Sequence, residues 1–195
     1  MNPTFDPKAA ALLVMDLQNG AVQMLDTGKD GLLARTATLI ESARKAGVRI
    51  VYVVVGFRAG YPELGPHTPF ASIRESGRFV EGSADVQVHA TVAPKPGEVI
   101  VTKHRVSAFA GTDLDMVLRA GGIDTLILTG IATSGVVLST VRHASDADYR
   151  LVVVEDCCAD RDVEVHRTLL EKVFPRQATV SKSNEVLAAL ARRPQ

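Results

Sequence analysis

Six short apolar runs that alternate with stretches of helical apolar spacing constrain the fold of this chain more than any other feature of its sequence. The apolar runs occupy residues 10–15, 50–55, 99–102, 125–128, 151–154 and 178–180. Helical spacing is found at residues 32–46, 113–120, 135–147, 163–174 and 184–192. Such alternation is typical of strands joined by crossover helices, so it predicts an α/β fold with a parallel sheet covered on both faces.

The size and charge of the chain limit the classes of function. With 195 residues and 46% hydrophobic content, the sequence predicts a single globular domain over residues 1–195. The 22 Lys and Arg residues balance 22 Asp and Glu residues, so the summed charge offers no general attraction for nucleic acid or for an anionic membrane. A small-molecule partner is expected instead.

The sequence shows no sign of a targeting or membrane segment. No apolar run approaches the roughly 18 residues of a membrane span, and residues 1–8 lack the basic-then-apolar pattern of a secretory signal. The two cysteines, Cys157 and Cys158, are adjacent, which is poor geometry for a structural disulfide and suits a reducing compartment. A cytoplasmic location is therefore predicted.

Polar residues follow five of the predicted strands, at the edge where an open parallel sheet binds its ligands. The segments are Asp16-Leu17-Gln18-Asn19, Gly56-Phe57-Arg58, Lys103-His104-Arg105, the turn at Gly130 and Glu155-Asp156-Cys157-Cys158. Any one of these ends also has a simple explanation, since strands often reach solvent with charged residues. Five of them on one edge favour a site. The proline-containing stretch 56–97 predicts a long irregular excursion beside it.

Asp16 and Lys103 are the candidate proton-transfer pair. Asp16 directly follows an apolar run, so its carboxylate should lie partly desolvated at the mouth of the sheet. Burial raises a carboxyl pKa and a neighbouring cation lowers it, so the two together suit proton transfer near neutral pH. The lysine side chain is long enough to reach across a strand about 4.8 Å away. The alternative is an Asp16 that only caps the following turn.

Three further side chains at this edge are candidates for substrate binding. Gln18 offers an amide either to a substrate oxygen or to its own loop, and the sequence does not separate the two. Arg58 and Arg105 have the geometry to hold a substrate carboxylate with two hydrogen bonds. Both arginines are equally compatible with solvated surface positions.

The turn at Gly130 has the shape of a nucleophile cradle but contains no thiol. It reads Gly130-Ile131-Ala132-Thr133-Ser134-Gly135-Val136-Val137. A helix that begins near Gly135 directs free main-chain N–H groups and the positive end of its dipole toward the strand end. This arrangement predicts an anion or oxyanion site.

Four motifs in this order resemble the isochorismatase-like cysteine hydrolase superfamily, over roughly residues 10–180. They are Asp16-Leu17-Gln18-Asn19, Lys103-His104-Arg105-Val106-Ser107-Ala108-Phe109, the turn from Gly130 to Val137, and Glu155-Asp156-Cys157-Cys158-Ala159-Asp160. The resemblance implies a three-layer α/β/α domain whose six parallel strands follow the order 3-2-1-4-5-6. It also implies a homo-oligomer, either a dimer or a tetramer.

The family resemblance also implies a set of working residues. Its Asp matches Asp16 and its Lys matches Lys103, and a non-proline cis peptide is expected near Ala132 and Thr133. The position of the family's cysteine nucleophile is Val136 in this chain. A valine side chain cannot attack a carbonyl group, so the thioester route is closed unless another residue replaces the thiol.

The leading hypothesis is therefore a hydrolase that acts on a small molecule by acid–base chemistry. Asp16 is the general acid or base, Lys103 tunes it, and the main chain of Thr133, Ser134, Gly135 and Val136 holds developing negative charge. True isochorismatases resemble this arrangement, because they lack the cysteine and hydrolyse a vinyl ether by protonation and addition of water. The alternatives are a catalytically silent binding or assembly protein and an amidase that uses Ser134 or a displaced cysteine. Cys157 and Cys158 are interpreted as packing residues on a turn.

No metal ion or other cofactor is predicted. Relatives that hold zinc have an Asp-x-His pair after the second strand, where this chain has Val55-Gly56-Phe57-Arg58-Ala59. The histidines at 67, 89, 104, 143 and 166 show no ligand spacing. They are interpreted as surface or packing residues.

Overall fold

The computed structural model describes residues 3–192, which lie within the predicted 1–195 domain; residues 1–2 and 193–195 are outside the described range. Within that range the chain forms a six-stranded sheet in the order β3-β2-β1-β4-β5-β6, and every neighbouring pair is parallel. The strands are β1 (Ala10–Met15), β2 (Arg49–Val55), β3 (Val99–Lys103), β4 (Thr125–Ile131), β5 (Arg150–Ala159) and β6 (Thr179–Ser181). The predicted fold class and strand order are confirmed.

Helices flank the sheet and agree with the apolar spacing of the sequence. They are α1 (Asn19–Val22), α2 (Lys29–Ala46), α3 (Ala71–Ser76), α4 (Leu114–Ala120), α5 (Leu138–Asp146), α6 (Val163–Thr168) and α7 (Ser183–Leu190). The short helices α1 and α3 have no apolar period long enough to be recognised in the sequence. The helices predicted at 135–147 and 163–174 each include a π-helical turn, Thr133–Val137 before α5 and Leu169–Val173 after α6.

The core lies on both faces of the sheet because the central strands are apolar at nearly every position. All six residues of β1 are buried. Alternate side chains point to opposite faces of a strand, so Leu13 and Met15 belong to one hydrophobic cluster while Leu12 and Val14 belong to the other. This double burial produces the three-layer architecture.

The excursion between β2 and β3 is folded rather than merely irregular. A third hydrophobic cluster holds it together around Phe57, Tyr61 and Phe79. The main chain of Phe57 pairs with the excursion, where its N–H donates to Phe79 O at 2.9 Å and its carbonyl accepts from Glu81 N–H at 2.8 Å. The excursion is thereby fixed beside the carboxyl edge of the sheet.

Strand β5 is longer than predicted, and this corrects the placement of the two cysteines. The prediction ended the strand at residue 154 and placed Cys157 and Cys158 on a turn. Instead, an irregularity after Leu128 lets the pairing of β4 with β5 resume, and Gly130 lies opposite Cys158. The cysteines are therefore strand residues whose side chains enter opposite faces of the sheet.

Candidate functional site

Asp16 is the first residue after β1 and lies at the carboxyl edge of the sheet. Its main-chain N–H extends the ladder to β2 by donating to Val53 O at 2.8 Å. Its φ angle is +54°, a left-handed conformation that aspartate tolerates better than most residues. The backbone therefore turns sharply at the end of the strand and leaves the carboxylate at the edge. Non-glycine residues in this conformation are concentrated at functional sites.

Lys103 is the last residue of β3 and meets Asp16 across the intervening strand β2. Its Nζ lies 2.9 Å from Asp16 Oδ2, and the two side chains are only 3% and 9% exposed. Nζ also donates to Arg105 O at 3.1 Å. The structure thus brings together the two groups that the sequence placed at the ends of two strands, while their catalytic role stays a prediction.

The environment of Asp16 shifts the pKa of its carboxyl group upward. Burial raises the pKa of Asp16, and the charge and hydrogen bond of Lys103 oppose that rise without cancelling it. The second oxygen, Oδ1, is buried and has no hydrogen-bond partner within residues 3–192. A buried carboxylate oxygen without a partner is costly, so this atom is suited to exchange a proton with a substrate or with water.

Gly130, the first residue of the cradle, lets β4 approach β1 closely. A Cβ atom on Gly130 would lie 2.3 Å from Met15 O, and its φ angle is +149°. The peptide between Ile131 and Ala132 is cis, adjacent to the Ala132–Thr133 position at which the family resemblance implies one. The π-helical turn Thr133–Val137 follows directly and leads into α5.

The main-chain donors of this turn are partly occupied. Ser134 N–H donates to Asp160 Oδ2 at 2.7 Å, and Gly135 N–H donates to Ala132 O at 3.1 Å. Of the four predicted donors, at most those of Thr133 and Val136 are left for a substrate. Ser134 and Gly135 also lie on an open, mainly apolar groove of about 670 Å³ with Leu138, Leu169 and Val173.

Val136, which the family resemblance places at the position of the cysteine nucleophile, points into hydrocarbon. Its side chain is 2% exposed and belongs to the hydrophobic cluster that includes Ala108, Val137 and Val141. The side chain therefore supplies packing at this point and no reactive group.

Gln18 is bonded to the protein at every polar atom of its side chain. Nε2 donates to Val55 O and to Val86 O, both at 2.8 Å, and Oε1 accepts from Val55 N–H at 2.8 Å. The side chain is fully buried. Both amide protons are used, so of the two alternatives the structure favours loop bonding over substrate binding. Gln18 ties the end of β1 to β2 and to the excursion.

The two predicted carboxylate-binding arginines are linked to the excursion through Glu63. Arg58 Nη1 lies 2.7 Å from Glu63 Oε1, and the arginine side chain is 64% exposed. Arg105 Nη1 donates to the carbonyls of Glu63 and His104 at 3.1 and 2.7 Å. The charge of Arg58 is already paired with a carboxylate, whereas the guanidinium of Arg105 contacts carbonyl oxygens, and its binding of an anionic group stays a prediction.

The sequence profile of the isochorismatase domain matches residues 10–185. The chain belongs to the isochorismatase family. Its relatives in the family include amidases and cysteine hydrolases, and this confirms the family and the hydrolase class predicted from the motifs.

Three relatives illustrate the range of this isochorismatase family. Ureidoacrylate amidohydrolase RutB from Variovorax paradoxus is 36% identical over 169 residues, which span 75% of this chain and 67% of that protein. The structure of N-carbamoylsarcosine amidase from Thermoplasma acidophilum is 31% identical with a TM-score of 0.74, covering 90% of this chain and 96% of that one. A cysteine hydrolase structure from Pseudomonas syringae pv. phaseolicola is 25% identical with a TM-score of 0.87, covering 96% and 95%.

Two residues near the cradle were not recognised as candidates in the sequence of this isochorismatase-family chain. Asp160 follows β5 and binds Ser134 N–H, so the strand-end argument applied two residues further would have included it. His166 lies on α6, and its Nδ1 is 2.8 Å from Thr133 Oγ1. The interpretation of His166 as a surface or packing residue misses this contact, because no sequence pattern links positions 33 residues apart.

The cysteines are poorly suited to replace the missing thiol. Cys157 and Cys158 are buried and free. Burial raises the pKa of the Cys157 thiol to about 12 and raises that of Cys158 further still. The thiolate is the reactive form of cysteine, so these raised pKa values disfavour both thiols as nucleophiles, and their role as packing groups stays a prediction.

Residues 3–192 contain no group of three His, Cys, Asp or Glu side chains arranged to hold a metal ion. None of the helices within that range has the length and apolar character needed to cross a membrane.

Proposed function

We propose that this chain is a hydrolase of small molecules in which Asp16 transfers the proton and no cysteine takes part. The observation that carries the proposal is the buried contact of 2.9 Å between Asp16 Oδ2 and Lys103 Nζ, which leaves Asp16 Oδ1 without a partner. A raised carboxyl pKa brings the group nearer to neutrality, where a general acid–base catalyst works best. Lys103 limits that rise and so sets the working range.

The reaction needs only groups that this chain supplies, together with water. Asp16 takes a proton from a water molecule as the water oxygen bonds to the substrate's electrophilic carbon. Negative charge develops on the substrate oxygen and is stabilised by main-chain donors at Thr133 and Val136. As the bond to the leaving group breaks, Asp16 returns the proton to that group. No covalent intermediate with the protein is formed.

The substrate class is proposed from the relatives and from charge. Two of the relatives act, by their names, on ureidoacrylate and N-carbamoylsarcosine. Both names describe a ureido group and an acid, and Arg105 is available for an anionic group. We propose a small ureido or N-carbamoyl acid, with a vinyl ether acid as the second class to test. The homo-oligomer and the cytoplasmic location stay predictions, and sedimentation would measure the former.

Serine is a weaker choice of nucleophile than water. Ser139 Oγ donates to Gly135 O at 2.7 Å inside its own helix. Ser134 is exposed, and the carboxylate of Asp160 binds its main-chain N–H. Among residues 3–192, neither hydroxyl is hydrogen-bonded to a base, which a serine nucleophile needs.

Turnover of a panel of these acids by wild-type protein and by Asp16→Asn tests the proposal. We expect wild-type hydrolysis of at least one compound and loss of that activity in Asp16→Asn, with an unchanged circular dichroism spectrum. Asp115→Asn is the matched control, since Asp115 is an exposed carboxylate that also pairs with a cation at 2.9 Å. An Asp16→Asn variant as active as the control would refute the role of Asp16, and binding of the acids without turnover by wild type would indicate a catalytically silent protein.

A further inference from the structure

The segment that follows β5 is fastened to the cradle by two side chains that the proposed chemistry does not use. Asp160 Oδ2 accepts from Ser134 N–H at 2.7 Å, and His166 Nδ1 lies 2.8 Å from Thr133 Oγ1. The two contacts fall on successive residues of the π-helical turn. Together they attach the start of α6 to the turn to which the proposed function assigns the donors for the substrate oxygen.

Asp160 and His166, together called the clamp, are themselves held in place. Asp160 Oδ1 accepts from Asp162 N–H at 3.3 Å, and Asp162 Oδ1 caps α6 by accepting from Glu164 and Val165 N–H groups. His166 N–H donates to Asp162 O at 2.9 Å. The imidazole therefore projects from a capped first turn of α6 rather than from a free loop.

Thr133 is the residue of the turn whose side chain the clamp holds, through the contact of its hydroxyl with His166. Its side chain is fully buried, so the contact with His166 is the polar anchor of a residue that has no contact with water. A hydroxyl held on one side fixes the χ1 angle of Thr133 and, with it, the main chain that carries the neighbouring donors. A displacement of about 1 Å at such a position can cost about 100-fold in rate.

We propose that His166 and Asp160 are positioning residues, which hold Thr133 and Ser134 so that the remaining main-chain donors of the turn meet the substrate oxygen. This inference rests on the proposed function, because it gives those donors their task. The imidazole acts through Thr133 and does not touch the substrate. Burial lowers the pKa of His166, partly offset by Asp160 and Glu155, which favours the neutral form of the ring beside the turn.

A pair of substitutions at His166 separates positioning from other roles. In His166→Asn the amide Oδ1 or Nδ2 takes the place of Nδ1, so the contact with Thr133 survives whichever partner carries the proton. In His166→Leu the contact is lost while an apolar side chain fills the space. Arg167→Ala is the control, since Arg167 is the next residue of α6 and is exposed.

The variants are compared on the acid that wild type hydrolyses best. We expect His166→Leu to lower kcat about 10- to 100-fold with KM unchanged within about twofold, as for a misplaced transition-state donor. His166→Asn should recover most of kcat, and Arg167→Ala should match wild type. Equal kcat in all variants, with only a lower Tm in His166→Leu, would reduce the clamp to a stability element and overturn the inference. A His166→Asn variant as slow as His166→Leu would also overturn it, because the imidazole itself would then be required.

A second measurement keeps the test independent of turnover. Amide hydrogen exchange of Ser134 and Gly135 should accelerate at least tenfold in His166→Leu and stay close to wild type in His166→Asn. If no compound is hydrolysed, the proposed function fails, and the exchange rates still decide whether the clamp exists. Equal exchange in the two variants would refute it.

Discussion

The ion pair between Asp16 and Lys103 should be strongly coupled, and a double-mutant cycle measures that coupling. At 2.9 Å and an effective dielectric constant of about 20, the attraction between the two charges is about 6 kcal/mol. Desolvation of both ions offsets much of it, but removal of one partner leaves the other charge buried and costs about 3–5 kcal/mol. We therefore expect Asp16→Asn and Lys103→Met each to lower the free energy of unfolding by about 3–5 kcal/mol.

The double variant should lose much less than the sum of the two single losses, because it leaves no unpaired charge. Urea denaturation at pH 7, with m-values checked for constancy, gives the four free energies of unfolding. A coupling of at least about 2 kcal/mol is expected at contact distance in the interior. The exposed pair Asp115 and Arg119, with the same 2.9 Å separation, is the control and should show little coupling. If the buried pair is no more coupled than this surface pair, the electrostatic reasoning about the site is wrong.

Three further predictions follow from particular positions. Gly130→Ala should lower the free energy of unfolding by about 2–4 kcal/mol because its Cβ would collide with Met15 O. Gly97→Ala is the control: its Cβ would meet no atom within 4 Å, and its φ of +89° alone should cost about 1–2 kcal/mol. Similar losses in urea denaturation would contradict the close approach. Native protein should resist iodoacetamide at pH 8 and become doubly labelled in urea, since burial raises the pKa of both cysteines; rapid native labelling would exclude their role as packing groups. The folded state lowers the pKa of His166, so the unfolded chain takes up the proton at a higher pH than the folded chain does. The stability contributed by this group is therefore present above pH about 6.5 and is lost as the pH falls toward the folded pKa. The free energy of unfolding should decline less steeply between pH 7 and 5 in His166→Asn than in wild type, and equal slopes would be evidence against the lowered pKa.

The strands were predictable because β1, β2 and β4 are apolar at nearly every position, as strands buried on both faces must be. Strand β5 was cut short in the prediction since Glu155 and Asp156 look like a strand that has reached solvent. The pairing of Gly130 with Cys158 keeps the strand going beyond them. That pairing depends on an irregularity between two strands, which no local pattern in either strand encodes.

The residues of the candidate site differ in the same way: those at strand ends were predictable from the sequence, and those that depend on tertiary packing were not. Asp16 and Lys103 were recognisable because strand ends of a parallel sheet converge and a lysine spans one strand. His166 and Asp160 were not recognised, because their contacts with Thr133 and Ser134 arise only when α6 packs beside the cradle. Glu63 was missed for a similar reason, as its pairing with Arg58 depends on how the excursion folds.

The pH dependence of kcat/KM tests the central claim most directly, since it reports the ionisation of the free enzyme's acid or base. For wild type we predict an ionisation above the ordinary aspartate value of about 3.9, because burial raises the pKa of Asp16. In Lys103→Met the residual rate should show that ionisation at still higher pH, because the lysine lowers the pKa. An ionisation at the ordinary aspartate value, or one that Lys103→Met leaves in place, would contradict proton transfer through this pair.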